Sequence, residues 1–285
     1  MMNIVGAIVV VVGVIGGYLM EHGNVSVLFQ PAELVIIGGA ALGSFLISSP
    51  RKVVSSVVRN IPTIFRSRSN GKGSYIELLC LMYQVFSKIR KEGLISIEAD
   101  IENPGQSALF RKYPQVLRDR NALNFICDNL KVIITTSIPP HELDGLLDLE
   151  IETGHHEAMV PSHALSKIAD ALPGLGIVAA VLGVVLTMGK IDQPPAVLGH
   201  SIGAALVGTF LGILACYGFV GPMAANLEYK AKEEETYFQV IKLALVAFVG
   251  GSAPQIAVEF GRRAIPGDVK PSFSELEKAI RAAGK

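Results

Sequence analysis

The chain alternates long apolar stretches with long polar ones. Four stretches contain no Asp, Glu, Lys or Arg: Ile4–Met20, Leu34–Ser49, Ala171–Met188 and Ser201–Ala225. Each has about 16–25 residues, close to the ~20 that an α-helix needs to cross a ~30 Å hydrocarbon core. The pattern predicts four transmembrane helices in two pairs. Because none of these stretches holds a carboxylate, we expect any acid that binds a transported ion to come from another subunit.

The polar segment between the two pairs has the period of amphipathic helices. Apolar residues recur on one helical face over 76–89, and Gly93 is placed to end that helix. A second amphipathic helix is predicted near 122–135 and a short one over 140–154, after Pro139 and Pro140. No stretch shows sustained two-residue alternation, so we expect a compact helical domain.

These elements predict an all-α fold: a polytopic membrane protein with four transmembrane helices and a helical cytoplasmic domain inserted between helices 2 and 3. The expected segments are 1–50 (helices 1 and 2), 51–167 (the inserted domain), 168–225 (helices 3 and 4) and 226–285 (C-terminal helices and tail). The apolar stretch 238–251 is short and interrupted by Lys242. It is therefore predicted to pack on the inserted domain rather than to span the membrane. The tail after Arg262 is polar, and we expect it to be partly mobile.

The basic residues are distributed unevenly around the spans. Of 25 Lys and Arg, none lies between the first two spans, only Lys190 lies between the last two, 15 lie in 51–167, and 9 follow residue 225. The positive-inside rule then places both short loops outside, and the inserted domain and both termini in the cytoplasm. The strongest signal is the cluster after span two: Arg51, Lys52, Arg59, Arg66, Arg68 and Lys72. The net charge of zero gives no indication of nucleic-acid binding.

The sequence shows no catalytic or metal-binding pattern. Its three cysteines are widely spaced, and the adjacent His155 and His156 point in different directions on a helix, so they do not form a chelating pair. No nucleophile–base set is visible, and we expect neither an enzyme nor a bound cofactor. A self-contained transporter would need an ionisable or unwound site at mid-membrane, and none is found.

The spans contain residues suited to close packing or bending. Glycines four residues apart form the pairs Gly13/Gly17, Gly39/Gly43, Gly199/Gly203 and Gly208/Gly212. Such pairs serve either packing within one bundle or oligomerisation, and the sequence does not separate the two. Pro173 and Pro222 lie near the cytoplasmic ends of spans three and four, where each removes a backbone hydrogen bond and favours a kink.

Two further polar residues, Thr209 and Arg90, each allow two interpretations. Thr209, deep in span four, either bonds the carbonyl one turn earlier or lines a path for ions. Arg90 and Glu98 flank Gly93, and helical spacing places Arg90 within the apolar arc of its helix. Arg90 either interacts with the helix C-terminus along its aliphatic stem, or holds a charge for a partner protein.

Two membrane motifs resemble the MotA family of flagellar motor stator subunits. They are Asp170-Ala-Leu-Pro173-Gly-Leu-Gly176 continuing to Gly183, and Gly208-Thr-Phe-Leu-Gly-Ile-Leu214 continuing to Pro222. The four spans and the large insert match the same family over essentially the full length. Members of the broader ExbB and TolQ families usually have three spans, so the fourth favours MotA.

The resemblance implies a function and its partners. MotA-like subunits form a homopentamer around two copies of MotB, a peptidoglycan-anchored protein whose membrane aspartate carries the proton. Ion flow drives rotation and torque on the rotor in the bacterial inner membrane, whose lipid surrounds the spans. Pro173 and Pro222 match prolines that couple protonation to conformational change, Thr209 matches a hydroxyl beside the ion path, and Arg90 and Glu98 match charges that engage the rotor protein FliG. Ala180 stands where sodium-type relatives carry threonine, which favours H⁺.

The alternative is that the same ion-driven mechanism powers a different process. The chain would then be an ExbB/TolQ-like energiser subunit of another ion-driven envelope machine. The periplasmic domain of the partner protein would distinguish the two functions. A stator requires a partner that binds peptidoglycan, whereas an energiser requires a partner linked to transport.

Overall fold

The computed structural model describes residues 2–65 and 70–283, and this part of the chain is helical without a β-strand. The α-helices are α1 (Met2–Met20), α2 (Val25–Leu28), α3 (Pro31–Ser48), α4 (Arg51–Ile64), α5 (Lys72–Glu92), α6 (Glu98–Glu102), α7 (Pro114–Arg118), α8 (Arg120–Thr135), α9 (Pro140–Met188), α10 (Pro195–Leu214), α11 (Gly221–Val249), α12 (Pro254–Ala264) and α13 (Phe273–Ala283). Short 3₁₀ turns occupy Leu94–Ile97 and Phe110–Lys112, and a π-helix joins α10 to α11 over Ala215–Val220. The all-α fold predicted from the sequence is confirmed.

Local sequence signals account for several helix ends. Proline occupies the start of α3 and α10, where its missing N–H costs nothing because that group has no helical partner. The Asp119 carboxylate caps α8 by accepting a hydrogen bond from the Ala122 N–H at 3.2 Å. Gly93 ends α5 with φ 88°, in the region that glycine tolerates best.

The described chain divides into two compact units, of which the first comprises residues 2–65 and 158–230. Four helical segments of the described chain are long and apolar enough to cross a membrane: Met2–Met20, Val25–Ser48, Pro140–Met188 and Pro195–Val249. The number predicted from the apolar stretches is therefore confirmed. The first unit is held by small clusters of buried apolar residues, and α4 joins it through Val57, which packs with Phe45 and Ala164.

The second unit comprises residues 70–157 and 231–283 and has one large apolar core. Helix α5 contributes many of its buried side chains, and the ring of Phe86 stacks on that of Phe248 with centroids 4.2 Å apart. The stretch 238–251 supplies Val240, Ile241 and Leu245 to this core. The prediction that it packs on the inserted domain is thus confirmed.

Lys242 is buried in the second unit although it interrupts an apolar stretch. Its side chain is 7% exposed, and its Nζ lies 2.8 Å from Asp144 Oδ1 and 2.6 Å from Asp148 Oδ2. Two carboxylates compensate for the desolvation of one ammonium group, which explains how a lysine is accommodated there.

One expectation about local structure was wrong. The predicted short helix over 140–154 is the first part of α9, a single helix of 49 residues that continues through Pro161 and Pro173. Each proline removes only one backbone bond, and packing holds the flanking turns, as where the Ser162 hydroxyl donates to the Ala224 carbonyl at 2.8 Å. The tail contains α13, because Leu276 and Ile280, four residues apart, bury one helical face in the core.

The basic cluster after span two is described only in part. Arg66 and Arg68 lie outside the described residues. Arg51 and Arg59 are exposed on α4, while the Lys72 ammonium forms an ion pair with Glu275 at 2.7 Å.

Candidate functional site

Helices α9 and α10 meet backbone to backbone in the first unit. A methyl group on Gly176 would lie 2.7 Å from the Gly208 carbonyl oxygen, and one on Gly212 would lie 2.5 Å from the Leu172 carbonyl oxygen. These distances exclude any side chain, so glycine is required by the close approach itself. Of the glycine pairs predicted for packing, Gly208/Gly212 therefore serves contact within this chain.

This contact brings together Ala180 and Thr209, two of the predicted ion-path residues. A methyl group on Gly208 would lie 3.1 Å from the Ala180 backbone nitrogen, and one on Gly176 would lie 3.3 Å from Thr209 Cα. Ala180 is buried and Thr209 half-buried. The two residues thus lie on opposing helices at the same narrow crossing.

The Thr209 hydroxyl has no hydrogen-bond partner among the described residues. Thr187, in α9, shows the ordinary behaviour by donating to the Gly183 carbonyl one turn earlier at 2.8 Å. Back-bonding, one of the two interpretations of Thr209, is therefore not seen. Its hydroxyl remains available to a group outside this chain.

Pro173 and Pro222 occupy different backbone settings. Pro173 lies inside α9, three residues before the Gly176 contact, and is half-buried. Pro222 is exposed and is the second residue of α11, separated from the π-helix Ala215–Val220 by Gly221 alone. A π turn accommodates one extra residue and is frequent at functional sites. The structure therefore places a second helical irregularity next to Pro222 that the sequence did not predict.

A carboxylate that the sequence analysis overlooked lies beside this crossing. The expectation that the spans contain no carboxylate is wrong, because α3 begins at Pro31 and carries Glu33 in its first turn. Glu33 is 8% exposed, and a methyl group on Gly208 would lie 2.5 Å from its Oε2. Glu33 therefore joins Ala180 and Thr209 as a member of the site.

A signal for Glu33 was present in the sequence. Proline at the first helical position followed by an acid in the first turn is typical of a helix start. Reading the span from its uncharged run alone placed the beginning at Leu34, three residues after the start of α3 and one residue after Glu33.

Arg90, in the last turn of α5, and Glu98, the first residue of α6, flank Gly93 and the 3₁₀ turn Leu94–Ile97 in the second unit. Both are exposed; Arg90 lies in the last turn of α5, where a position within the apolar arc does not bury the side chain. Its Nη1 lies 3.4 Å from the carbonyl oxygen of Gly251. Leu94 and Ile95, 41% and 75% exposed, lie between the two charges along the chain. We call Arg90, Leu94, Ile95 and Glu98 the turn surface.

Much of the first unit's surface is apolar and open. Helix α1 has no buried residue, and methyl groups on Gly13, Gly17, Gly39 and Gly43 would meet nothing within 4 Å. The same holds for Gly199 and Gly203. These glycine pairs serve no contact within the described chain, so their backbone can be approached by lipid or by another helix.

Comparison with known proteins identifies the family. The family model of the motility protein A N-terminal region matches residues 4–93, and that of the MotA/TolQ/ExbB proton channel family matches 119–240. Motility protein A of Salmonella typhimurium is 45% identical over 282 residues, covering 99% of this chain and 96% of the relative. Chemotaxis protein LafT of Vibrio parahaemolyticus is 37% identical over 278 residues, covering 98% of each chain.

Solved structures show the same fold. A chain of the C. jejuni MotAB structure superposes with a TM-score of 0.80 at 17% identity, covering 95% of this chain and 98% of that one. A chain of the flagellar MotAB stator complex from Bacillus subtilis gives 0.78 at 22% identity, covering 96% and 100%. The energiser alternative is not favoured by these matches. The resemblance inferred from the sequence is confirmed: this chain is a multi-pass membrane protein that belongs to the motility protein A family within the MotA/TolQ/ExbB proton channels.

Proposed function

We propose that this chain is a stator subunit of a bacterial flagellar motor. With a MotB-type partner it forms an ion channel, and the flow of ions drives rotation and torque on the rotor. The observation that carries the proposal is the similarity to motility protein A, which extends over 99% of the chain. The α9–α10 crossing supplies a place where ion binding and helix packing can influence each other, because Thr209, Ala180 and Glu33 lie beside it.

The partner we propose is a peptidoglycan-anchored MotB-type protein, present in two copies inside a homopentamer of this chain. The two solved structures compared above are MotAB structures, from C. jejuni and from Bacillus subtilis. Support from this chain comes from the open glycine backbone of α1 and α3, which allows further helices to approach closely. The unpartnered Thr209 hydroxyl can bond a carboxyl group on such a helix.

We propose that the transported ion is H⁺ and that Pro173 and Pro222 couple its passage to movement. The proton preference is supported by the apolar Ala180, since a hydroxyl at that position would add a ligand for a metal cation. One unit charge crossing 100 mV releases ~2.3 kcal/mol. A conformational switch driven by so little energy must be nearly balanced between two states, and helix irregularities at the two prolines suit that requirement.

The turn surface is the proposed contact with the rotor protein FliG. Its two charges are exposed, so they can engage and release complementary charges without a large desolvation cost. We also propose that the protein lies in the bacterial inner membrane, with the second unit and both termini in the cytoplasm. The absence of Lys and Arg from the loop 21–30 supports this orientation.

Deletion of the gene tests the function directly. Cells are filmed while their flagella are stained, with a complemented strain as the control. Paralysed cells that retain filaments are expected, because a stator acts after the flagellum has assembled. Cells without filaments, or cells that swim normally with no second stator gene present, would contradict the proposal.

A further inference from the structure

Glu33 is a buried acid without a partner. It is 8% exposed, and its Oε2 accepts no hydrogen bond from any described residue. A carboxyl oxygen in this setting normally has a donor, since leaving a buried polar atom without a hydrogen bond is costly. The group therefore requires an explanation beyond packing.

Glycines on two helices make room for the carboxyl group. A methyl group on Gly183 of α9 would lie 3.5 Å from Oε1, and one on Gly208 of α10 would lie 2.5 Å from Oε2. Ala205 closes one side, since its Cβ would lie 2.7 Å from the Gly183 methyl. We call this space, bounded by Gly183, Ala205 and Gly208, the glycine cradle. These three residues are glycine and alanine, so none of them adds a polar side chain to the space.

No described charge compensates Glu33. Helix α9, which approaches the carboxyl group at Gly183, has no titratable residue from Ala171 to Met188, and α10, which approaches it at Gly208, contributes His200 near its start. Lys190, just past α9, has its Nζ 3.5 Å from the Ser201 hydroxyl. Neither His200 nor Lys190 forms an ion pair with Glu33 in the described structure.

The surroundings suit a proton better than a metal ion. Metal cations such as Ca²⁺ and Mg²⁺ require about six or more oxygen ligands, whereas Gly183, Ala205 and Gly208 add no side-chain oxygen to the carboxyl group of Glu33. A proton needs one acceptor. Burial without a counter-charge favours the neutral acid, while the N-terminal turn of α3 favours the anion. The two effects act in opposite directions on the same carboxyl group.

We propose that Glu33 is a proton-binding site of this chain, additional to the acid supplied by the partner. A hydronium ion at the membrane face nearer to Glu33 transfers its proton to the Glu33 carboxylate. An O–H bond forms, the hydronium ion becomes water, and the neutral carboxylic acid occupies the glycine cradle. Release reverses the step. Since the cradle lies between α9 and α10, occupancy by acid or anion alters the packing of α3 on both helices. The inference rests on the proposed ion-conducting function and adds a site to it.

The test is infrared difference spectroscopy on the complex of this chain with its MotB-type partner, in vesicles taken through a pH jump. The wild-type complex is expected to show a carboxylic C=O stretch that is lost in Glu33→Gln. Glu21→Gln, which changes an exposed acid at the end of α1, is the matched control and should keep the band. An identical spectrum in Glu33→Gln would overturn the proposal.

Two further arms keep the result decisive. If Glu33→Gln does not assemble, Glu33→Asp replaces it; the band is then expected to shift, and an unshifted band overturns the proposal. A band that moves with sodium at fixed pH would identify a metal-cation site instead. Failure of the stator proposal is a separate outcome, because it appears as normal motility of the deletion strain whatever the spectrum shows.

Discussion

The Nζ of Lys242 lies 2.6 Å from Oδ2 of Asp148, and this ion pair joins α11 to α9 within the second unit. A second carboxylate, Asp144, lies 2.8 Å from the same ammonium group. The lysine side chain is almost fully buried, while the two aspartate side chains are about half exposed. The buried ammonium group therefore lies between two carboxylates that remain hydrated.

Lys242→Met is therefore expected to destabilise the protein by about 1–3 kcal/mol, because two like charges remain side by side without their counter-ion. The triple variant that adds Asp144→Asn and Asp148→Asn should recover most of that loss. Thermal unfolding of the purified full-length protein in detergent measures both. Equal stability of Lys242→Met and wild type would show that the pair contributes nothing.

Gly212→Ala is expected to lower the melting temperature and the yield of folded protein, since its methyl group would lie 2.5 Å from the Leu172 carbonyl oxygen. Alanine is otherwise the better helix former by about 1 kcal/mol. Gly199→Ala, in the same helix but with nothing within 4 Å, is the control and should be neutral or slightly stabilising. Matching behaviour of the two variants would contradict the close crossing of α9 and α10.

Glu275 gives the protein a pH-dependent contribution to stability. The Lys72 ammonium, together with hydrogen bonds from the Ser272 backbone and hydroxyl, lowers the pKa of the Glu275 carboxyl to about 2. The folded-state pKa lies below the ordinary value of 4.5, so the stabilisation is complete above about pH 5 and is lost as the pH falls toward 2. The melting-temperature difference between wild type and Glu275→Gln should shrink over that interval. A difference that stays constant from pH 6 to pH 3 would rule out this linkage.

Pro173→Ala is expected to slow flagellar rotation severalfold while the chain still assembles with its partner. Alanine restores a backbone hydrogen bond in α9 and stiffens the turn before the Gly176 contact. Rotation of tethered cells gives the speed, and co-purification of the partner reports assembly. Pro161→Ala, also inside α9, serves as the control. Loss of assembly in Pro173→Ala would assign the proline a structural role only.

Charge reversal on the turn surface is expected to reduce torque without unfolding the protein. Arg90→Glu and Glu98→Lys change exposed groups, so stability should stay within about 0.5 kcal/mol of wild type. Lys91→Glu, the adjacent exposed charge, should affect torque less. Torque measured from the rotation of a bead on a flagellar stub distinguishes the variants. Normal torque with Arg90 and Glu98 both reversed would exclude the turn surface as the rotor contact.

The sequence predicted those features that depend on long or periodic patterns. The four spans were predicted from the length of the uncharged stretches, and the buried face of α5 was predicted from the helical spacing of its apolar residues. Glu33 was missed because one charged residue at a helix start does not change the hydropathy of the span that follows it. The continuity of α9 through Pro161 and Pro173 was missed because helix propensity is local, whereas the packing that holds the flanking turns joins residues far apart in sequence.

The π-helix before Pro222 has a geometric consequence for the residues beyond it. A π turn holds one residue more than an α turn, so it offsets the helical phase of every later side chain by about 100°. If that extra residue moved along the helix, or if the π turn became an α turn, the following segment would rotate about the helix axis and move along it by about 1.5 Å. Such a movement opens no hinge and breaks few hydrogen bonds at any moment. A shift of the π-helix Ala215–Val220 would thus turn the helix about its own axis instead of bending it.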